Sequence, residues 1–116
     1  MAGPPRDFED QRAHARRLIR DRRRRDEVLG ADIFGEPAWD LLLELYVARA
    51  EDRPVSTLSA CMAVTVSLTT GLQWLTNLEE HQLIERLHVG GDERLTLLLL
   101  TDSAFDRMTA LLREVA

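Results

Sequence analysis

The sequence has no lysine; all 15 of its basic residues are arginine. It has one cysteine, Cys61, which excludes an intrachain disulfide and any zinc site built on several thiolates. Cys61 reads as a small buried hydrophobe rather than a redox switch. No apolar run approaches the roughly 20 residues of a membrane span, so no membrane is expected among its partners. The opening MAGPPRDFED lacks the apolar core of a secretory signal, which makes a cytoplasmic location the default expectation. His14, His81 and His88 share no metal-ligand spacing and read as surface residues. No phosphate-cradling glycine loop and no catalytically spaced cluster is present, so neither an enzyme, a cofactor nor a bound metal is expected.

What is present suits one soluble domain with an appended arm: 116 residues, 45% hydrophobic and 30% charged, with a net charge of −5. The charge is divided. Arg12 to Arg25 holds eight arginines against Asp21 alone, whereas 37–116 holds six arginines against twelve acidic residues. A basic arm over 1–36 and an acidic body over 37–116 follow. From Asp7 to about Leu29 no Gly or Pro interrupts, and Arg, Ala, Glu and Leu favour helix. Its apolar content is thin, so that helix needs a partner surface.

The body opens with a helix over Pro37 to Ala50, Pro37 suiting the first turn and Trp39, Leu42, Leu43, Tyr46 and Val47 giving a broad apolar face. Pro54 closes it, and Val55 with its neighbours can form a minimal strand. The stretch that organises the rest is Val55 to Ile84. A short helix over Thr57 to Ala63 is followed by a longer one over Ser67 to His81, with Ser67 as its N-cap. Leu68, Leu72, Leu75 and Leu78 line one face; Thr69, Thr70, Gln73, Thr76, Asn77 and Glu80 line the other. Trp74 sits beside the leucine face, as core or as a partly exposed interface residue. No arginine or lysine lies between Arg53 and Arg86. Leu83 to Val89 reads as a strand, Gly90-Gly91-Asp92 as a turn, and Arg94 to Leu100 as a second strand covered on both faces. Thr101-Asp102-Ser103 supplies caps for a last helix over Asp102 to Val115, with Phe105, Met108, Leu111 and Leu112 facing inward.

This order predicts a mainly α fold with a small β-hairpin wing: a winged helix-turn-helix preceded by an Arg-rich helix. Here the chain resembles the MarR-type winged-helix transcription regulators, a bacterial family. The resemblance covers about Pro37 to Leu112 and rests on SLTTGLQWLTNLEEHQLIER at 67–86, D-E-R at 92–94 and LTDSAF at 100–105. Ser67, Thr70, Leu78, Glu79, Leu83, Ile84 and Arg86 sit where the family's recognition-helix pattern places such residues. The departures fall on the functional surface. Gln73 replaces the usual arginine, Asn77 a frequently basic position and Gln82 the usual helix-ending glycine, and Gly90-Gly91-Asp92-Glu93 replaces an Arg-rich wing tip.

The resemblance implies a DNA-binding transcription regulator acting as a homodimer on a two-fold site. Helices from both chain ends would form the dimer interface, with Phe8, Leu18, Ile19, Val28, Leu29, Ile33 and Phe34 against Phe105, Met108, Leu111 and Leu112. The residue chemistry fits double-stranded DNA in a particular way. Gln73 and Asn77 can exchange hydrogen bonds with adenine, the methyls of Thr69 and Thr70 can pack on thymine, and Ser67 can hold a phosphate. Arg86 and Arg94 supply body charge, and Arg22, Arg23, Arg24 and Arg25 are candidates to supply the rest from the arm. The alternatives are that the arginine stripe is solvated or paired with carboxylates such as Asp21, Asp26 and Glu27, and that the neutral helix belongs to a protein-protein interaction module with a protein partner.

Overall fold

The computed structural model describes residues 8–29 and 37–114, and of 25–29 the backbone alone. In chain order the elements are α1 (Glu9–Leu29), α2 (Pro37–Ala50), α3 (Thr57–Ala63), α4 (Leu68–Glu80), β1 (Ile84–Leu87), a 3₁₀ turn (Glu93–Leu95), β2 (Leu97–Leu100) and α5 (Asp102–Glu114). The winged helix-turn-helix order read from the sequence is the order observed.

α2 is the centre. Leu41, Leu43, Leu45, Tyr46, Val47 and Ala48 are all buried, so the helix is apolar around most of its circumference rather than on one face. Such a helix must be enclosed, and α1, α3, α4 and β2 pack on it. α5 joins through Phe105, whose ring stacks on Tyr46 at 4.8 Å and receives Phe8 edge-on at 5.0 Å. The Tyr46 hydroxyl meets Thr109 Oγ1 at 2.8 Å, giving that buried polar end a partner.

The hairpin is antiparallel, Ile84 opposite Leu100 and Leu87 opposite Leu97. Val55 and Ser56 extend it as a minimal third rung: Leu98 N donates to the Val55 carbonyl at 2.9 Å, and Ser56 bridges to Leu97. The second strand is shorter and less covered than its sequence suggests. RLTLLLL does not form one strand buried on both sides; Glu93–Leu95 coils into a 3₁₀ turn, and Leu95 and Leu99 are half exposed. A two-stranded sheet has one face on the core, so alternate leucines face outward whatever their hydrophobicity. Leu111, expected inward, is 42% exposed on the outer side of α5. His14, expected at the surface, is half-buried along α1.

α1 is seated by charge as much as by apolar contact. Ala15 is fully buried, and Phe8, Leu18 and Ile19 pack against the core. Around them the arginines meet a row of carboxylates on and just beyond α2. Arg12 reaches Glu51 at 3.1 Å and Arg16 Nε the same carboxylate at 2.9 Å. Arg23 meets Glu44 at 2.9 Å, and Arg22 pairs with Asp40. Among the described residues the stripe is paired with carboxylates, as one reading of the sequence allowed, chiefly those of α2 and the turn beyond it. Glu9 on its own helix also takes Arg12 at 3.0 Å, and the side chains of Asp26 and Glu27 lie outside the described residues.

Partial burial tends to raise the Glu51 pKa, but the Arg16, Arg53 and Arg12 hydrogen bonds outweigh it and hold the carboxyl below its ordinary value of 4.5. A depressed carboxylate stabilises the fold above its unfolded value, and that contribution is lost as pH falls through the lower folded value. Acidification below 4.5 is therefore expected to loosen α1 before the winged helix melts. Amide exchange of α1 measured from neutral pH downward checks this. Glu51→Gln should reproduce the faster exchange at neutral pH, and unchanged protection in that variant would refute the charge-seated docking.

Candidate nucleic-acid interface

The helix-turn-helix is fixed at each of its joints. Ser56 and Ser59 form a reciprocal capping box that starts α3. α3 and α4 cross at 107°. Their turn passes through Thr65 at φ +56°, closed by Val66 N donating to the Cys61 carbonyl at 3.0 Å. Cys61 and Gly71 explain the close packing of the two helices. A Cβ on Gly71 would lie 2.2 Å from Cys61 Sγ, so α4 comes this near only with glycine there. Burial also pushes the Cys61 thiol pKa up, consistent with the packing role expected of it.

α4 then presents two faces. Gly71, Leu75 and Leu78 are buried, with Leu68 and Leu72 half-buried beside them. Thr69, Gln73, Thr76, Asn77 and Glu80 are exposed, and Trp74 is 37% exposed at the boundary. Ser67 accepts from Thr70 N at 3.1 Å as the N-cap, so its hydroxyl proton remains available to a ligand at the start of the helix. At the other end, Gln82 N donates to Glu79 O at 2.9 Å and Leu83 N to Leu78 O at 3.0 Å. That is a Schellman closure, with Gln82 at φ +60° in the left-handed place glycine usually takes. The departure at Gln82 leaves the geometry of the helix end intact.

Arg86 is turned back onto α4. Its guanidinium reaches Glu79 at 2.6 Å and Thr76 Oγ1 at 3.3 Å, and its side chain is 13% exposed. The hydrogen bond from Arg86 holds the Glu79 carboxyl below its ordinary range. Arg94 stands at the wing, 58% exposed, and is gripped by Asp92 through two parallel contacts at 3.0 and 2.9 Å. Asp92 also accepts from Arg94 N at 3.0 Å, so one carboxylate shapes both the turn and the guanidinium. The Arg94 bonds lower the Asp92 pKa, and Asp92 in turn raises that of Arg94. Of the arm candidates, Arg22 and Arg23 lie on α2 carboxylates, Arg24 is exposed, and the Arg25 side chain lies outside the described residues, as do those of Val28, Leu29, Ile33 and Phe34. Sequence reasoning missed the receiving row Asp40, Glu44 and Glu51, whose helical spacing was its one visible signal.

The left-handed Gln82 gives a direct test of how α4 is ended. A non-glycine residue there costs about 1–2 kcal/mol, partly offset by the extra chain entropy glycine must lose. Gln82→Gly is expected to raise stability by about 0.5–1 kcal/mol, read as a higher urea midpoint at unchanged slope. A fall in the midpoint would contradict the closure described.

No family model matches the sequence, and no curated protein aligns with it significantly. Solved structures do match in shape. MepR, a transcription regulator of the Staphylococcus aureus multidrug efflux pump MepA, superposes with TM-score 0.55 at 20% identity, over 88% of this chain and 76% of that one. The heme sensor protein PefR from Streptococcus agalactiae matches with TM-score 0.55 at 18% identity, over 98% of this chain and 76% of its own. Rv1404 from Mycobacterium tuberculosis matches with TM-score 0.52 at 18% identity, over 97% and 76% respectively. The chain has the winged-helix fold of the MarR-type regulators.

Proposed function

We propose that the protein is a DNA-binding transcription regulator that reads base edges with an uncharged helix. The observation carrying this is the outer face of α4. Thr69, Gln73 and Asn77 are exposed on a helix capped by Ser67, in a helix-turn-helix whose angle and ends are closely fixed. Amide side chains exchange paired hydrogen bonds with adenine N6 and N7, and threonine methyls, including that of half-buried Thr70, pack on thymine. A site containing A·T pairs follows.

In this reading the phosphate contacts fall to Ser67 and to Arg94, pre-oriented by Asp92. Arg86, Arg22 and Arg23 act as positioning groups through Glu79, Asp40 and Glu44. With one exposed wing arginine per protomer, a dimer neutralises about two phosphates, giving a shallow salt slope of about −2 in log–log form. The proposed homodimer brings together the outer side of α5, where exposed Leu111 adjoins an apolar hollow lined by Trp39, Leu42, Leu83 and Met108. Two-fold pairing would present two α4 helices to half-sites about one turn of DNA apart.

Fluorescence anisotropy against random and A·T-rich duplexes at low salt tests the function. Gln73→Ala and Asn77→Ala are each expected to cost about 1–3 kcal/mol on the preferred duplex with the salt slope unchanged. Arg94→Ala should weaken all duplexes alike and flatten the slope by about 1 per protomer. No binding to any duplex at tens of micromolar protein would transfer the helix to protein-protein recognition. Light scattering tests the dimer separately. Twice the 13.2 kDa chain mass is expected, reverting to one chain in Leu111→Glu, and a monomeric wild type would refute it.

A further inference from the structure

We infer that the crevice between α1, α2 and the connection to α3 binds a small oxyanion of the phosphate class. The crevice holds about 100 Å³ and is lined by Arg16, Ile19, Arg20, Arg23, Glu44, Val47 and Arg53. Four guanidinium groups therefore surround one space. Among the described residues the carboxylates in contact with them are Glu44, which takes Arg23, and Glu51, which takes Arg16, Arg53 and also Arg12. Arg20 has no carboxylate partner among the described residues. The ring is left with more positive than negative charge at close range, a condition that repels itself and attracts an anion.

The chemistry of the lining selects the ligand class. A guanidinium presents five donors in a flat fork that matches phosphate oxygens, and most of those donors on Arg20, Arg23 and Arg53 have no acceptor among the described residues. Ile19 and Val47 make part of the lining apolar, which strengthens the attraction. Size narrows the choice further. At about 30 Å³ for each water displaced, the space takes a tetrahedral oxyanion but not a nucleobase. The ligand is inorganic phosphate or a phosphate group whose remainder projects into solvent.

The site exists only while α1 lies on α2, because Arg16, Arg20 and Arg23 come from α1 and Glu44 and Val47 from α2. Arg53 comes from the connection beyond α2. An anion bound there holds α1 in place and stabilises the fold by mass action. It also reaches the helix-turn-helix, since Arg23 donates to the Ala63 carbonyl at the end of α3 at 3.3 Å. This inference is independent of whether α4 binds DNA.

The test is thermal unfolding of the full chain in inorganic phosphate, in methyl phosphate and in chloride at equal ionic strength and pH, with a parallel phosphate titration followed by amide chemical shifts. A saturable rise of roughly 5 °C is expected in the wild type and in the remote control Arg113→Gln, and should be absent in Arg20→Gln and Arg53→Gln. Shifts should cluster on 16–23, 44–47 and 53. Saturation by either phosphate supports the site, and tighter saturation by one identifies the source. If Arg53→Gln fails to fold, Arg20→Gln and the shift map decide, because Arg20 is exposed and holds no carboxylate among the described residues. An equal rise in all four proteins would show only the general effect of an excluded salt and overturn the proposal. So would scattered, unsaturating shifts. Loss of duplex affinity in Arg20→Gln with no response to free phosphate would also overturn it, assigning the arginines to the DNA backbone instead.

Discussion

A helix apolar on almost every side has to be enclosed, and α2 places that requirement on the rest of the chain. The difficulty lies on the side facing α1, where Asp40, Glu44 and Glu51 stand beside the buried Val47 and Leu43. Carboxylates shielded from water destabilise a fold unless they are paired. α1 meets both demands at once: Ala15, Leu18 and Ile19 cover apolar surface while Arg12, Arg16, Arg22 and Arg23 neutralise the acids. The absence of lysine fits this role. Glu51 accepts from Arg12, Arg16 and Arg53 together, a sharing that planar forks achieve and compact ammonium groups manage poorly.

The basic arm and acidic body of the sequence are, in the fold, largely two sides of one interface. Much of the charge that looks available for a polyanion, that of Arg12, Arg16, Arg22 and Arg23, is committed to holding α1 down, which leaves α4 with little electrostatic support from it. On the DNA-binding reading this has a thermodynamic meaning. Phosphate contacts supply non-specific affinity, and base contacts supply discrimination. A neutral reading helix lowers affinity for every duplex, so a larger fraction of what remains depends on sequence.

The parts legible from sequence were those set by local signals. Pro37 and Pro54 bracket α2 and Ser67 caps α4, and the bounds Pro37–Ala50 and Thr57–Ala63 were readable to the residue, although the Ser56 cap that starts α3 was not read. The two-faced pattern of α4 followed from its leucine spacing. What was not legible depends on partners distant in the chain. Arg22 and Asp40, or Arg86 and Glu79, look like independent surface charges until the fold brings them together. The leucines of β2 read alike in sequence, and only the pairing with β1 decides that Leu98 and Leu100 face the core while Leu99 does not. At the candidate site, residue types and the capping role of Ser67 were visible, whereas the inward turn of Arg86 and the Asp92 grip on Arg94 were tertiary facts.

The same division accounts for a chain that keeps the fold while departing from the family pattern on its outer surface. α4 is held from many directions: the Ser67 cap, the left-handed Thr65 before it, the left-handed Gln82 after it, the Gly71–Cys61 contact beneath it and the Arg86–Glu79 bridge beside it. Two left-handed residues other than glycine, each costing about 1–2 kcal/mol, persist because the surrounding hydrogen bonds and packing over-determine the turn. None of these constraints involves the outward side chains of Thr69, Gln73 or Asn77. The pose of the helix and the chemistry of its exposed face are therefore separable, and the exposed face is free to change its ligand without disturbing the scaffold. An arginine exchanged for Gln73 alters what the helix can recognise and leaves untouched everything that decides where the helix stands.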